Sequence, residues 1–521
     1  MYIPSAMKRI LVIAFLWIFG KSYTIAQSNI LGFNNPFLSQ STAVNPAFIP
    51  QFGTTISFGT SLAAYYPNFS LGDFFSKSTS VKQDIDSFLS RDNKQLTNIE
   101  IQNRVELLHL GFRSRRAYLT MNTAVVTNIY ANIDKDLLGI AFYGNDENSP
   151  YFGKRVDIDL KENQGTVVWE NRITYGRTIR PWLNVGVVLT NYNGLYRYNV
   201  KQANFGVYSD TSNDHIYKWK VDGVWDIQTN GIRNLNPMGP MDYVNAGPFI
   251  NMGQSAGFGV IIRPSKKYRI SASFNNFGSI GWDYETYNHN LTQTSWYFSG
   301  LDSNSWAKGN GEQINSNLRD SVNKYFVTES KADWRWGYSF PFKPTWYLGF
   351  EYFINPKNRI SFQYSTANGV LQNKTFFAVQ SQNRIGKRLD VMSTYAKYDL
   401  KNPQDIFGIG LSTYWRHYQV SLMANNVKGL IQLDKSHYHS INLSVAILFT
   451  ENIDSDGDNV PDHKDNCKDL YGNIRYRGCP ENISSTPYIY DPEYQKLKKL
   501  EDVDDRFELT RKRRKRNRWQ F

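Results

Sequence analysis

SINLSVAILF, residues 440–449, is the stretch whose reading decides the fold. Ile441, Leu443, Val445, Ile447 and Phe449 fall on one side of an extended chain, with Asn442, Ser444 and Ala446 on the other. A period of two places successive side chains on opposite faces, the mark of a strand with one apolar face. Working back along the chain, the same alternation recurs from about Thr54. Leu183, Val185, Val187 and Leu189 interleave with Asn184, Gly186, Val188 and Thr190. Ala256, Phe258, Val260 and Ile262 interleave with Ser255, Gly257, Gly259 and Ile261. Ile360, Phe362 and Tyr364, then Phe407, Ile409 and Leu411, repeat the pattern.

The connections between these segments are of two kinds. Tight basic turns are SRRA (114–117), IRPW (179–182), RPSKK (263–267), NPKN (355–358) and WRH (415–417). They alternate with long polar connections, notably 213–245 and 283–340. Short turns at one end and long loops at the other are what a transmembrane β-barrel requires. Trp182, Tyr268, Trp346 and Trp415 are read as lying beside the short turns, where an aromatic girdle meets the lipid interface. Composition agrees: 34 Tyr, 32 Phe, 13 Trp and 36 Gly accompany a mean hydropathy of −0.50, which fits a large β structure with two chemically different faces. A soluble sandwich would also alternate, but it leaves the asymmetry of the connections unexplained. The expected fold is all-β, a transmembrane antiparallel barrel of about fourteen strands over residues 54–450. The alternating segment ending in Phe449 resembles the assembly signal of outer-membrane barrels.

The ends place this barrel in a compartment. Lys8 and Arg9, the apolar residues 10–19, and Thr24, Ile25 and Ala26 before Gln27 form a secretory signal peptide over residues 1–26. The expected location is the cell outer membrane, with lipid around the barrel and the C-terminus in the periplasm. Net charge is +13, but Arg511, Lys512, Arg513, Arg514, Lys515, Arg516 and Arg518 supply much of it. A nucleic-acid footprint over the whole protein is therefore excluded. Residues 481–521 form a charged tail suited to an anionic partner.

DSDGDNVPDHKDNC, residues 454–467, differs from everything before it. Asp454, Asp456 and Asp458 take positions one, three and five of a calcium-loop spacing. The Val460 carbonyl would follow, then Asp462 and Asp465; hard cations take such oxygen ligands. Cys467 and Cys479 are the chain's two cysteines, and in an exported protein they read as one disulfide. Closing that short loop stabilises by about 3 kcal/mol on chain-entropy grounds. The segment resembles a thrombospondin type 3 repeat, with Asn459 where Gly is usual. That resemblance implies a rigid calcium-bound and disulfide-closed post over residues 451–480.

SQSTAVNPAFIPQ (39–51), TISFGTSLAAYYPNFSLGDFF and VELLHLGFRSRRAYLTMN resemble an uncharacterised family of Bacteroidota outer-membrane barrels. Asn45, Pro46 and Ala47 are similar to the N-terminal hatch motif of the fatty-acid-transporter superfamily, which implies a plug over residues 27–53. Phe48 stands where that motif usually has Gly, a departure that counts against transport by the same route.

The sequence contains no HExxH, GxSxG, P-loop or dinucleotide fingerprint, and no enzyme is expected. His437 and His439 share a face, without a visible third metal ligand. Two functions remain. The post and tail favour an accessory subunit of an envelope complex for secretion or barrel assembly, docking protein partners on the periplasmic side. The hatch resemblance favours the alternative, a channel or carrier for small or hydrophobic solutes, with a ligand in its lumen.

Overall fold

The computed structural model describes residues 35, 38–50, 53–66, 89, 97–114, 116–143, 149–180, 182–209, 219–233, 236–237, 250–265, 267–291, 295–298, 326–330, 338–342, 344–355, 357–367, 374–386, 388–398, 404–415, 417–432, 436–449, 460, 465–467 and 478–479. Fourteen antiparallel strands close into a barrel. They are β1 (Thr54–Tyr65), β2 (Thr97–Arg113), β3 (Ala117–Ile133), β4 (Gln164–Arg180), β5 (Leu183–Ser209), β6 (Met252–Ser265) and β7 (Tyr268–Trp282). The ring continues through β8 (Thr345–Asn355), β9 (Asn358–Ala367), β10 (Lys374–Ile385), β11 (Leu389–Tyr398), β12 (Gln404–Trp415), β13 (Tyr418–Ala424) and β14 (Tyr438–Phe449). Each strand pairs with the next, and β14 pairs back onto β1 from Thr54↔Phe449 to Tyr65↔Tyr438. Closure leaves no edge, so every barrel ladder finds its hydrogen bonds within the ring. Among the described residues, no helix is long and apolar enough to cross a membrane.

The alternation read from SINLSVAILF is a division between lipid and lumen. Ile441, Leu443, Val445 and Phe449 are exposed on the outer face, while Ser440, Ala446 and Leu448 are buried inside. On β5, Val185, Val187 and Leu189 point out as Asn184, Val188 and Thr190 point in. An apolar exterior is stable only against hydrocarbon, and a polar interior only against water or other polar groups.

Six tight turns join β2 to β3, β4 to β5, β6 to β7, β8 to β9, β10 to β11 and β12 to β13. They share one rim with the start of β1 and the end of β14. Five of these turns were legible; the sixth, around Gly386 (φ +63°), lies in a segment without a Pro or Trp marker. Trp182, Tyr268 and Trp415 are exposed at this rim as expected. Trp346 is not: it opens β8 opposite Phe274, at the far end of the strand from the 355–358 turn.

The long connections are not polar loops throughout. Strand β5 is 27 residues long, far beyond the ~9–11 that a tilted strand needs to span a bilayer. Its outer half continues as a sheet beyond the barrel, pairing with Trp219–Asn230 and Arg155–Asp159. Thr286–Leu291, Ser295–Phe298 and Phe326–Ser330 extend that sheet. Val156, Ile158, Phe205, Val207 and Val221 form its core, with Leu137 and Ile140 of the helix α1 (Lys135–Tyr143) packed against them. The segment KWKVDGVWDIQTN has the right alternation, but its four charges made it read as a loop.

Candidate functional site

The site is the lumen and the segment that occupies it. Residues 38–50 precede β1 and are drawn into a compact form by their own side chains. Ser39–Ala43 make one turn of 3-10 helix, after which Asn45 builds a tight turn. The Asn45 side chain accepts from the Ala47 N–H at 2.9 Å, and its carbonyl accepts from the Phe48 N–H at 3.0 Å. Pro46 lies between them, supplying a fixed φ and no N–H to satisfy.

The turn docks on a shelf of glycines. Gly176 of β4 pairs with Gly186 of β5, and Gly186 pairs with Gly259 of β6, so three glycines lie side by side on the lumenal wall. A Cβ at either of the first two would strike the Pro46 carbonyl oxygen, and one at Gly259 would strike the Asn45 side-chain oxygen. Here glycine serves close backbone approach rather than unusual dihedrals. The row continues on β7 and β8. Ser273 is opposite Gly259 and donates to the Val44 carbonyl at 2.8 Å; Tyr347 is opposite Ser273 and packs on Val44. Asn275 donates to the same Val44 carbonyl at 2.8 Å. One rung across five strands thus cradles the plug.

Two charged clusters flank the shelf. On β2 and β4, Arg104 lies 2.6 Å from Glu170, and Arg172 lies 3.3 Å from the same carboxylate. Arg172 also donates to the Ala43 carbonyl at 3.3 Å, and Gln40 donates to Glu106 at 3.5 Å, tying the plug to this cluster. On β7, β8 and β9, Glu351 receives Arg269 at 2.8 and 2.5 Å and Arg359 at 3.2 Å. Arg269 lies 5.6 Å over the Phe48 ring, a cation–π distance. Further round, Gln382 donates to Asn35 at 3.1 Å, and Leu38 packs on Met392 and Met423. A cavity of about 90 Å³ remains between the plug and the β1, β13 and β14 wall, reached by Leu38, Val44, Gly59, Glu106, Tyr347 and Met423.

Asn45, Pro46 and Ala47, proposed from sequence as one motif, are therefore brought together in the lumen, each buried. Ile441, Leu443, Val445, Ile447 and Phe449 share the lipid side of β14 as expected. Cys467 and Cys479 are bonded, with Cα atoms 4.9 Å apart. Of the calcium-loop residues, Val460 and Asp465 are buried, and one Asp465 carboxylate oxygen accepts from the Cys467 N–H at 2.6 Å. Asp454, Asp456, Asp458 and Asp462 lie outside the described residues, as do Arg511, Lys512, Arg513, Arg514, Lys515, Arg516 and Arg518. Sequence reasoning missed the glycine row and the ionic clusters. The signal for the clusters was present in EIQNRVE, where Glu100, Gln102, Arg104 and Glu106 share one face. No composition argument could have aligned three glycines on three strands.

A closed barrel with an apolar exterior and a segment docked in its charged lumen defines an outer-membrane β-barrel of the plugged type. Over residues 46–425 the chain matches the family of unknown function DUF5723, and it belongs to that family. No curated protein matches the sequence. Among solved structures it is similar to the Ralstonia pickettii toluene transporter TbuX, at 9% identity and a TM-score of 0.39, covering 78% of this chain and 92% of that one. It is similar to the Pseudomonas putida toluene transporter TodX at 8% identity and a TM-score of 0.39, again covering 78% and 92%. A Pseudomonas aeruginosa FadL homologue gives 9% identity and 0.38, covering 81% and 96%.

The expected accessory docking subunit is corrected at this point. The three similar structures named above are described as two toluene transporters and a FadL homologue, not as assembly subunits. The lumen is organised around a docked segment, whereas the tail from which docking was argued lies outside the described residues. A basic tail fits many anionic surfaces and so specifies no role.

Proposed function

We propose that this protein is an outer-membrane channel or carrier for small solutes, closed at rest by residues 38–50. The observation that carries the reading is the glycine row. Three adjacent wall strands give up their side chains at the positions where the Asn45 to Ala47 backbone lies. A barrel of about eight strands is filled by its own side chains, whereas fourteen leave an interior that must be plugged or passed through. The plug is held by hydrogen bonds and ion–dipole contacts together with apolar contacts of Leu38, Val44, Ala47 and Phe48 with the wall. Following the hatch resemblance, the rim that carries the short turns faces the periplasm.

The test is solute flux. Full-length protein and a variant lacking residues 35–50 are reconstituted into liposomes, and swelling in small sugars and uptake of small aromatic solutes are followed. The expected result is slow entry through the intact protein and fast entry through the variant. Equal impermeability of both to every solute class would overturn the reading.

Calcium belongs to the same proposal, as a structural ion held by Asp454, Asp456, Asp458, Asp462, Asp465 and the Val460 carbonyl. The spacing of these oxygen donors supports it, since alternate carboxylates of a tight loop suit one hard cation. The ion would stiffen the segment after the barrel and would take no part in flux.

A further inference from the structure

We propose that the short-turn rim at β3, β4 and β5 is a binding site for the phosphate headgroup of an anionic phospholipid. The lipid-facing row of β4 runs through Ile173, Tyr175, Arg177 and Ile179, each exposed. An arginine in that row, close to the strand's end, lies where the hydrocarbon gives way to headgroups. Register pairs Arg177 with Ala117, which sets Arg116 beside it one residue nearer the rim. The Arg116 carbonyl accepts from the Thr178 N–H at 2.7 Å, so the turn is fastened to β4. Arg180 and Trp182 follow at the next turn, Trp182 exposed by 52%.

Arg116, in the turn before β3, and Arg177 and Arg180 of β4 are all exposed within a few residues of this rim, Arg177 on the lipid-facing row. A long cationic side chain at this level keeps its stem in the apolar layer and its head among the phosphates. The guanidinium fork matches phosphate oxygens, and the adjoining indole and phenol rings seat at the same depth. The rest of the rim has the same sign. Lys267, Lys357 and Arg388 are exposed at their turns, and none of the six turns contains an Asp or Glu. Exposed carboxylates, such as Asp136, Asp157, Glu162, Asp283 and Asp405, lie at the opposite end. The lipid headgroup is favoured over a soluble anion because Arg177 opens onto the lipid-facing belt itself, not onto the lumen. The site is independent of whether solutes pass through the barrel.

The experiment uses full-length protein reconstituted with equal amounts of phosphatidylglycerol and phosphatidylcholine, then stripped stepwise in detergent, with retained lipid read by native mass spectrometry. Wild type is expected to retain phosphatidylglycerol over phosphatidylcholine by several-fold. The triple variant R116Q/R177Q/R180Q is expected to lose that preference, and R388Q to keep most of it. Heat-modified gel migration reports whether each variant has folded. Should the triple variant fail to fold, Arg177→Gln alone is expected to lower the preference at least twofold. Equal retention of the two lipids by wild type, or an unchanged preference in the folded Arg177 variant, would overturn the site. Loss of phosphatidylglycerol to free inorganic phosphate at low concentration would also overturn it, since the occupant would then be a soluble anion.

Discussion

The two rims of the barrel are built from the same strands and obey opposite rules. At the short-turn rim, strands end almost at once, turns are basic, and apolar side chains face outward. At the other rim β5 runs on into a second sheet, where Val156, Ile158, Phe205, Val207 and Val221 turn inward. Strand β5 contains both regimes. Val187 and Leu189 are exposed near its start, whereas Phe205 and Val207 are buried near its end. The difference lies in the solvent. Hydrocarbon around the first half makes an apolar exterior favourable; water around the second makes the same exterior costly. A strand long enough to cross the boundary must change its rule where it crosses.

The comparison can be broken most severely at the buried charges behind the short-turn rim. Glu351 pairs with both Arg269 and Arg359 inside the wall. Glu351→Ala is expected to destabilise the barrel by about 3–5 kcal/mol, because two buried cations lose their counter-charge. Thermal unfolding in detergent reads this, and a shift no larger than that of an exposed-site control would show that the cluster is hydrated. Next comes the shelf. A leucine at Gly186 collides with Pro46, and overpacking of about 1–3 kcal/mol would shift the docked population of the plug by about 5- to 150-fold. Limited proteolysis near residue 50 should follow that shift.

The outer sheet is expected to be far less sensitive. Arg155 holds Asp222 through two hydrogen bonds of 2.6 Å, on partly exposed side chains. The hydrogen bond from Arg155 is the main cause that keeps the Asp222 carboxyl below the ordinary carboxylate range. A depressed carboxyl contributes stability above its unfolded pKa, and that contribution is lost as pH falls through the folded value. Asp222→Asn should therefore remove less than about 1 kcal/mol at neutral pH and nothing in strong acid. Hydrogen exchange of the Trp219–Asn230 amides is the readout; an effect that persists below the carboxylate range would indicate another cause. Smallest for the barrel itself is Asp454→Ala with Asp456→Ala. It should abolish calcium-dependent protease resistance of residues 451–480 and leave the barrel's heat-modified migration unchanged.

What the sequence disclosed follows the same division. The lipid-facing rows, five of the six tight turns and the closing strand were legible, because a single-sided apolar period is a strong local signal. Trp346 was misplaced since a tryptophan marks an interface without saying which one. The outer sheet was read as loop because Lys220, Asp222 and Asp226 hide the alternation of Val221, Trp225 and Ile227. Asn45, Pro46 and Ala47 were found through their resemblance to a hatch motif. Gly176, Gly186 and Gly259 were not, because their partnership exists only after three strands take register. The tail's basic run misled the functional reading: charge is conspicuous in a sequence and says little about mechanism.

The central claim is that residues 38–50 form a removable closure. Its most direct test is single-channel recording of full-length wild type beside Gly186→Leu in a planar bilayer. The account predicts rare, small openings for wild type and frequent or sustained openings for the variant. Identical silent traces from two folded proteins would contradict it and make the segment a permanent part of the wall.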